Sequence, residues 1–175
     1  KTVKIALLGF GNVSQGTFNL LQDNVDLITN RSGVTMRISK IFVRSPDKYT
    51  NITLPSTAQY VTNIDDVLND ESIAIVVELM GGTTFAKVGL EQALKHGKSV
   101  VTANKDLLAE AGPYLFDLAY KNSRFTFEAS VLGGIPIIRT LYDSLGGNRI
   151  TELVGIMNGT TNFILSKMTD EGLSY

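Results

Sequence analysis

The chain has 175 residues, 43% hydrophobic and 19% charged, proportions of a folded globular protein that exclude extended disorder and fibrous repeats. Its 16 basic side chains are matched by 17 acidic ones, which leaves none of the concentrated positive charge of a nucleic-acid binder and points to small-molecule partners. There is no cysteine, so disulfides, thiolate metal sites and thiol-nucleophile mechanisms are excluded.

Residues 3–8 form a short aliphatic run that stops at Gly9, the pattern of a strand buried on both faces in a parallel sheet. Over 13–28, Val13, Phe18, Leu21, Val25 and Ile28 recur mostly at three- and four-residue steps, which predicts one helix. The polar stretch 30–33 ends it, and 36–43, with Ile38, Ile41, Phe42 and Val43, predicts a second strand that completes a βαβ unit. The polar, two-proline segment 45–55 reads as a loop, followed by a short strand over 60–62 and a short helix over 65–69.

A buried strand is predicted over 73–79, then a turn at Gly81, Gly82, Thr83 and Thr84 leading into a helix over 85–96. Thr83 or Thr84 is placed to cap that helix, Lys95 and His96 complement its dipole, and Gly97 supplies a left-handed stop. A strand over 99–102 follows, then a helix marked by Leu107, Leu108, Ala111, Leu115, Leu118 and Ala119, and a strand over 124–127. Sustained alternation of this kind requires parallel strands with helical crossovers on both faces, so the fold class expected is α/β with a doubly wound sheet. After Glu128 the character changes. Gly133 and Gly134 precede Pro136 and a helix to 145, then a strand over 150–157 and a helix over 160–168. The expected division is a dinucleotide-binding domain over 1–130, and a junction with the start of a second domain over 131–175.

Between the first strand and first helix stand Gly9, Phe10, Gly11, Asn12, Val13, Ser14, Gln15 and Gly16, where a Rossmann-type dinucleotide fingerprint belongs. Gly9 would make the tight turn, and Gly11 would admit a pyrophosphate to the helix N-terminus, whose free N–H groups and dipole favour anions. Ser14 takes the third glycine position, a looser fit in which a small residue still lets helix and strand pack. The bland alternative is a plain strand-to-helix turn, and the βαβ context argues against it. At the end of the second strand an NAD-selective protein usually carries Asp or Glu, whereas here Val43 is followed by Arg44 and Ser45. Arginine suits a 2′-phosphate, so NADP is preferred over NAD, the alternative being that Arg44 is a solvated strand-end charge.

Four stretches resemble motifs of the homoserine dehydrogenases, in that family's order and across essentially the whole chain. They are 76–83 with Glu78, Gly81, Gly82 and Thr83; 100–105 with Asn104 and Lys105; 127–136 with Glu128, Gly133, Gly134 and Pro136; and 155–162 with Met157, Asn158, Gly159 and Thr160. The resemblance implies interconversion of L-homoserine and L-aspartate 4-semialdehyde with NADP or NAD, on the route to threonine, methionine and isoleucine. It also implies that Phe10, Gly11, Asn12 and Val13 meet the pyrophosphate, that Gly82 and Thr83 lie beside the cofactor, and that Lys105 is catalytic, reaching nicotinamide and substrate. By the same resemblance Glu128, Val131, Gly133 and Ile135 match a loop holding a monovalent cation such as sodium, largely through carbonyl oxygens, while Gly159 and Thr160 match substrate contacts. The second domain would be an α+β substrate and dimerisation domain, giving a homodimer when complete. Because the resemblance stops inside that domain, the 175-residue chain is expected to bind NADP without turnover.

Each residue also has a plainer reading. A lysine at a helix start opposes the dipole, which makes a purely structural Lys105 less natural. Glu128 alone is an ordinary strand-end carboxylate, the glycine pair alone a turn, and His96 a helix-end surface residue. Phosphorylating semialdehyde dehydrogenases share the opening βαβ unit but need a cysteine nucleophile, which this chain lacks. A non-catalytic nucleotide-sensing Rossmann module would need no substrate residues, and the cluster over 158–161 argues against it. No apolar run approaches the roughly 20 residues that span a bilayer, and 1–8 carries no small-residue cleavage site, so a cytoplasmic protein without a membrane partner is expected.

Overall fold

The computed structural model describes residues 1–122, 124–156 and 158–175. The chain forms two compact units, Lys1–Ser130 and Val131–Tyr175. The first is built on a six-stranded sheet of β1 (Thr2–Leu8), β2 (Thr35–Phe42), β3 (Gln59–Val61), β4 (Ile73–Glu78), β5 (Ser99–Thr102) and β6 (Phe125–Thr126), in the spatial order β3-β2-β1-β4-β5-β6. Every pairing is parallel. This is the doubly wound Rossmann order expected from the alternation, and its switch point lies between β1 and β4.

The two-residue period of β1 explains why the sheet carries a core on each face. Ile5 and Leu7 point one way, against Phe10 and Phe18, while Ala6 and Leu8 point the other, against Leu90, Leu94, Leu107 and Leu115. The latter four come from α4 (Thr84–Lys95) and α5 (Lys105–Asn122). Gly89 lets α4 come close, because a Cβ there would meet Ile64 Cδ1 at 3.2 Å and Leu8 Cδ1 at 3.4 Å.

The single helix expected over 13–28 is two, α1 (Asn12–Asp23) and α2 (Val25–Ser32). Asn24 breaks it with φ −115° and ψ 22°, and its Nδ2 donates to the Leu20 carbonyl at 2.9 Å. Periodicity is blind to this short polar side chain competing for the backbone. Pro46–Tyr49 is a 3₁₀ turn and α3 (Asp65–Leu68) a short helix. Thr83 does occupy the N-cap position of α4, but its side chain makes no capping bond.

In the second unit, α6 (Ile137–Arg139) runs into a π-helical turn, Thr140–Ser144, in place of one regular helix to 145. α7 (Gly159–Glu171) is capped by Asn158, whose Oδ1 accepts from Thr161 N at 2.8 Å, and stopped by Gly172 at φ +66°. The strand expected over 150–157 is absent: 150–156 form no ladder and are exposed, and Met157 lies outside the described residues. An apolar run becomes a strand only where a partner takes up its N–H and C=O groups, and periodicity cannot supply that partner. Among the described residues no helix is long and apolar enough to cross a membrane.

Candidate functional site

Because all six strands are parallel, the segments following β1, β2, β4 and β5 emerge on one edge of the sheet. After β1, Gly9 adopts φ +88° and donates its N–H to the Phe42 carbonyl at 2.9 Å. A Cβ on Gly9 would sit 3.0 Å from Met80 Cα and 3.1 Å from the Leu79 carbonyl, so this position excludes a side chain on two counts. Gly11, the N-cap residue of α1, has φ −77° and faces open space, with nothing within 4 Å of its would-be Cβ. No side chain caps α1 and its first turn carries no acid, which leaves its N-terminus free of the groups that would compete with an anion.

Ser14, fully buried, donates from Oγ to the Gly9 carbonyl at 2.8 Å, so the imperfect third residue of the fingerprint ties the loop to the helix. Gln15 Nε2 holds the Phe10 carbonyl at 2.9 Å. Sequence reasoning placed Phe10 against the pyrophosphate. Its ring turns into the core at 2% exposure, with ring centroids of Phe18, Tyr49 and Tyr60 at 5.7, 5.3 and 5.7 Å. The ring anchors the loop and leaves only the Phe10 main chain for a ligand. Asn12 and Val13 are exposed on the first turn of α1.

A cleft of about 690 Å³ opens at this edge, bounded by Gly9 and Gly11, by Arg44, Ser45 and Lys48 after β2, and by Met80, Gly81 and Phe85 after β4. Its size and its place at the switch point suit a dinucleotide. Arg44 and Lys48 are both exposed and neither joins an ion pair among the described residues. Lys48 was missed by sequence reasoning, since the 3₁₀ turn that returns it to the cleft has no periodic signal. A second cavity of about 600 Å³ runs along α7, lined by Phe163, Met168 and the paired Lys167 and Glu171. It is lined by residues of the second unit alone and gathers none of the predicted site residues.

The turn after β4 contains two consecutive left-handed glycines, Gly81 at φ +73° and Gly82 at +71°. The Gly82 carbonyl accepts Asn104 Nδ2 at 2.7 Å, and Asn104 Oδ1 caps α5 by accepting Leu107 N at 3.1 Å. Lys105 is therefore the first residue of α5, exposed, directly after a side chain fixed at both ends. Beneath them Glu78 is fully buried and accepts from Met80 N at 2.8 Å and Thr102 Oγ1 at 2.6 Å. Its signal in the sequence was a lone carboxylate in an aliphatic strand.

Glu128 lies in a 3₁₀ turn, Glu128–Ser130, of the first unit; Val131, Gly133 and Ile135 belong to the second, where Leu132 and Gly133 take φ +53° and +60°. Among the described residues no group of three or more His, Cys, Asp or Glu could hold a metal ion. Gly159 and Thr160 form the exposed first turn of α7. His96 is the C-cap residue of α4, its Nδ1 2.8 Å from the Gln92 carbonyl, as a helix-end residue should be.

The family model for the homoserine dehydrogenase NAD-binding domain matches residues 9–128, and that for homoserine dehydrogenase matches 136–175. The homoserine dehydrogenase of Synechocystis is 46% identical over 99% of this chain and 40% of its own length, and that of Bacillus subtilis 42% identical over 100% and 40%. Among solved structures, a homoserine dehydrogenase from Thiobacillus denitrificans aligns with a TM-score of 0.90 at 45% identity, covering 99% of this chain and 40% of that one. A hyperthermophilic archaeal homoserine dehydrogenase in complex with NADPH aligns with a TM-score of 0.75 at 25% identity, covering 99% and 58%. The chain thus spans about 40% of the length of the curated relatives it matches.

Proposed function

The chain belongs to the homoserine dehydrogenase family, and from that premise we propose that it binds NADP in preference to NAD and serves the interconversion of L-homoserine and L-aspartate 4-semialdehyde. The observation that carries this reading is the cleft at the switch point, lined by Gly11 at the uncapped N-terminus of α1 and by two cations after β2, Arg44 and Lys48, that join no ion pair among the described residues. The first half of such a sheet takes the adenosine end, so those cations stand where a ribose 2′-phosphate would lie. The second half, with Gly82, Thr83 and Lys105, takes the nicotinamide end.

When bound, the nicotinamide supplies or accepts the hydride. The Lys105 ammonium orients the semialdehyde oxygen and stabilises the negative charge that builds on it as its carbon gains hydride. Gly159 and Thr160 are assigned to substrate on the strength of the motif alone, as is the segment 128–135 to a monovalent cation such as sodium. In the same reading the whole protein is a cytoplasmic homodimer of amino-acid biosynthesis.

Calorimetric titration with NADPH and NADH tests the cofactor assignment. NADPH should bind more tightly, and Arg44→Ala and Lys48→Ala should each weaken NADPH by about tenfold, the worth of one charge-assisted contact, with NADH little changed. Equal affinities of the unaltered protein would sink the NADP preference. In the full-length protein, homoserine-dependent reduction of NADP should fall by about 100-fold in Lys105→Ala, the usual cost of removing one transition-state donor. Near-normal turnover would remove Lys105 from the chemistry.

A further inference from the structure

We propose that Glu78 is a positioning residue that sets the nicotinamide side of the cleft by holding two turns in one closed ring of hydrogen bonds. This rests on the cofactor reading above. Glu78 ends β4, where its register partners are Leu8 on β1 and Thr102 on β5. The rest of the strand, Ile73, Ala74, Ile75, Val76 and Val77, is aliphatic. A fully buried carboxyl in such a strand is strongly unfavourable unless its oxygens are matched by donors, and an aliphatic residue would avoid that cost.

Both oxygens are matched, and the partners describe the function. Oε1 takes the Met80 N–H at 2.8 Å, which fixes the start of the turn after β4. Oε2 takes the Thr102 hydroxyl at 2.6 Å, and that hydroxyl oxygen accepts the Asn104 N–H at 3.0 Å. Asn104 then reaches back through Nδ2 to the Gly82 carbonyl at 2.7 Å. The ring therefore runs from Glu78 through Thr102 and Asn104 to Gly82, and returns along the chain by Gly81 and Met80. Thr102 and Asn104 are buried with Glu78, so the Glu78–Thr102 and Thr102–Asn104 bonds are shielded from water, while those to Met80 and Gly82 lie nearer the surface.

Two exposed groups hang from this ring, the doubly left-handed glycine turn and Lys105, one residue beyond Asn104. Gly81 and Gly82 have wide conformational freedom, and a lysine at a helix start is placed only as well as its cap. Glu78 touches neither cofactor nor substrate; it removes that freedom. Displacements of about an ångström at such a point lower turnover by orders of magnitude.

The test compares wild type, Glu78→Gln, Thr102→Val and Thr102→Ser in the full-length protein. Each is assayed for Tm, homoserine oxidation, and affinity for NADPH and for 2′,5′-ADP, the adenosine half alone. In Glu78→Gln and Thr102→Val, NADPH affinity and kcat should each fall by about tenfold or more, the scale of one charge-assisted hydrogen bond, while 2′,5′-ADP affinity stays near wild type. Thr102→Ser keeps the hydroxyl and should restore both. If Glu78→Gln does not fold, Thr102→Val carries the comparison with the carboxyl untouched. A lowered Tm with unchanged NADPH affinity and kcat, or an equal loss for both ligands, would overturn the proposal. If wild type binds neither ligand, the cofactor reading itself falls and the proposal with it.

Discussion

Gly9 and Gly11 stand two residues apart and answer to different demands. Gly9 holds φ +88° with Met80 and Leu79 atoms where a Cβ would go, whereas Gly11 has an ordinary φ and empty space before it. Gly9→Ala should therefore destabilise the fold by about 2–3 kcal/mol, combining left-handed strain with a backbone clash. Gly11→Ala should unfold like wild type in urea yet, on the proposed cofactor reading, bind NADPH at least about tenfold more weakly, because its methyl would fill the space which that reading assigns to the pyrophosphate. A Gly11→Ala protein with unchanged affinity would mean that the phosphates lie elsewhere. Gly9 was legible in the sequence because its tight turn is a local mechanical need. The direction of the Phe10 ring and the partners of Glu78 were not legible, since the ring's direction depends on Tyr49 and Tyr60, and Glu78's partner Thr102 is 24 residues away.

At the scale of elements, strands and long helices were legible from period alone, and the errors lie where one polar side chain or an absent partner decides. Asn24 divides the first helix, and 150–156 lacks a neighbouring strand. The opposite edge of the sheet shows what non-local polar contacts add. The turn that delivers β4 between β1 and β5 is pinned by two lysines: Lys40 Nζ lies 2.7 Å from Asp70 Oδ2, and Lys98 Nζ donates to the Asp70 and Ile73 carbonyls at 2.7 and 3.1 Å. Hydrogen bonds from Lys40 first, then Ser72, hold the Asp70 carboxyl well below the ordinary carboxylate range. A lowered folded value means that acidification protonates the unfolded chain first. The contribution is thus complete above the ordinary value of about 3.9 and is lost as pH falls from there toward the folded value. Asp70→Asn should cost about 1 kcal/mol at pH 7, as befits a partly exposed pair. Urea melts of the two proteins should converge below about pH 4, where the wild-type advantage titrates away. A gap that persists unchanged at pH 3 would show that the cost of the substitution is not electrostatic.

Across the whole molecule, burial is distributed unevenly between the two units. Among the described residues, every buried side chain belongs to Lys1–Ser130, with the apolar ones clustered on both faces of the sheet, while those of Val131–Tyr175 are half-buried or exposed throughout. Apolar burial is the dominant favourable term in folding, so the stability of the 175-residue chain resides in its first unit. The cleft residues Gly9, Gly11, Arg44, Lys48 and Gly81 all fall in that unit as well, and Ser130 closes it by donating its hydroxyl to the Thr102 carbonyl at 2.9 Å. A chain ending at Ser130 should consequently melt within about 1 kcal/mol of the 175-residue chain and bind NADPH with an affinity within about threefold of it. It should also associate less, because Val154, Ile156, Phe163 and Leu165, each more than half exposed, are removed with the second unit. Urea melts, calorimetry and sedimentation on the two chains decide the matter. Loss of NADPH binding on truncation would assign part of the cofactor site to residues beyond Ser130, and a large loss of stability would show that the first unit does not hold its own core.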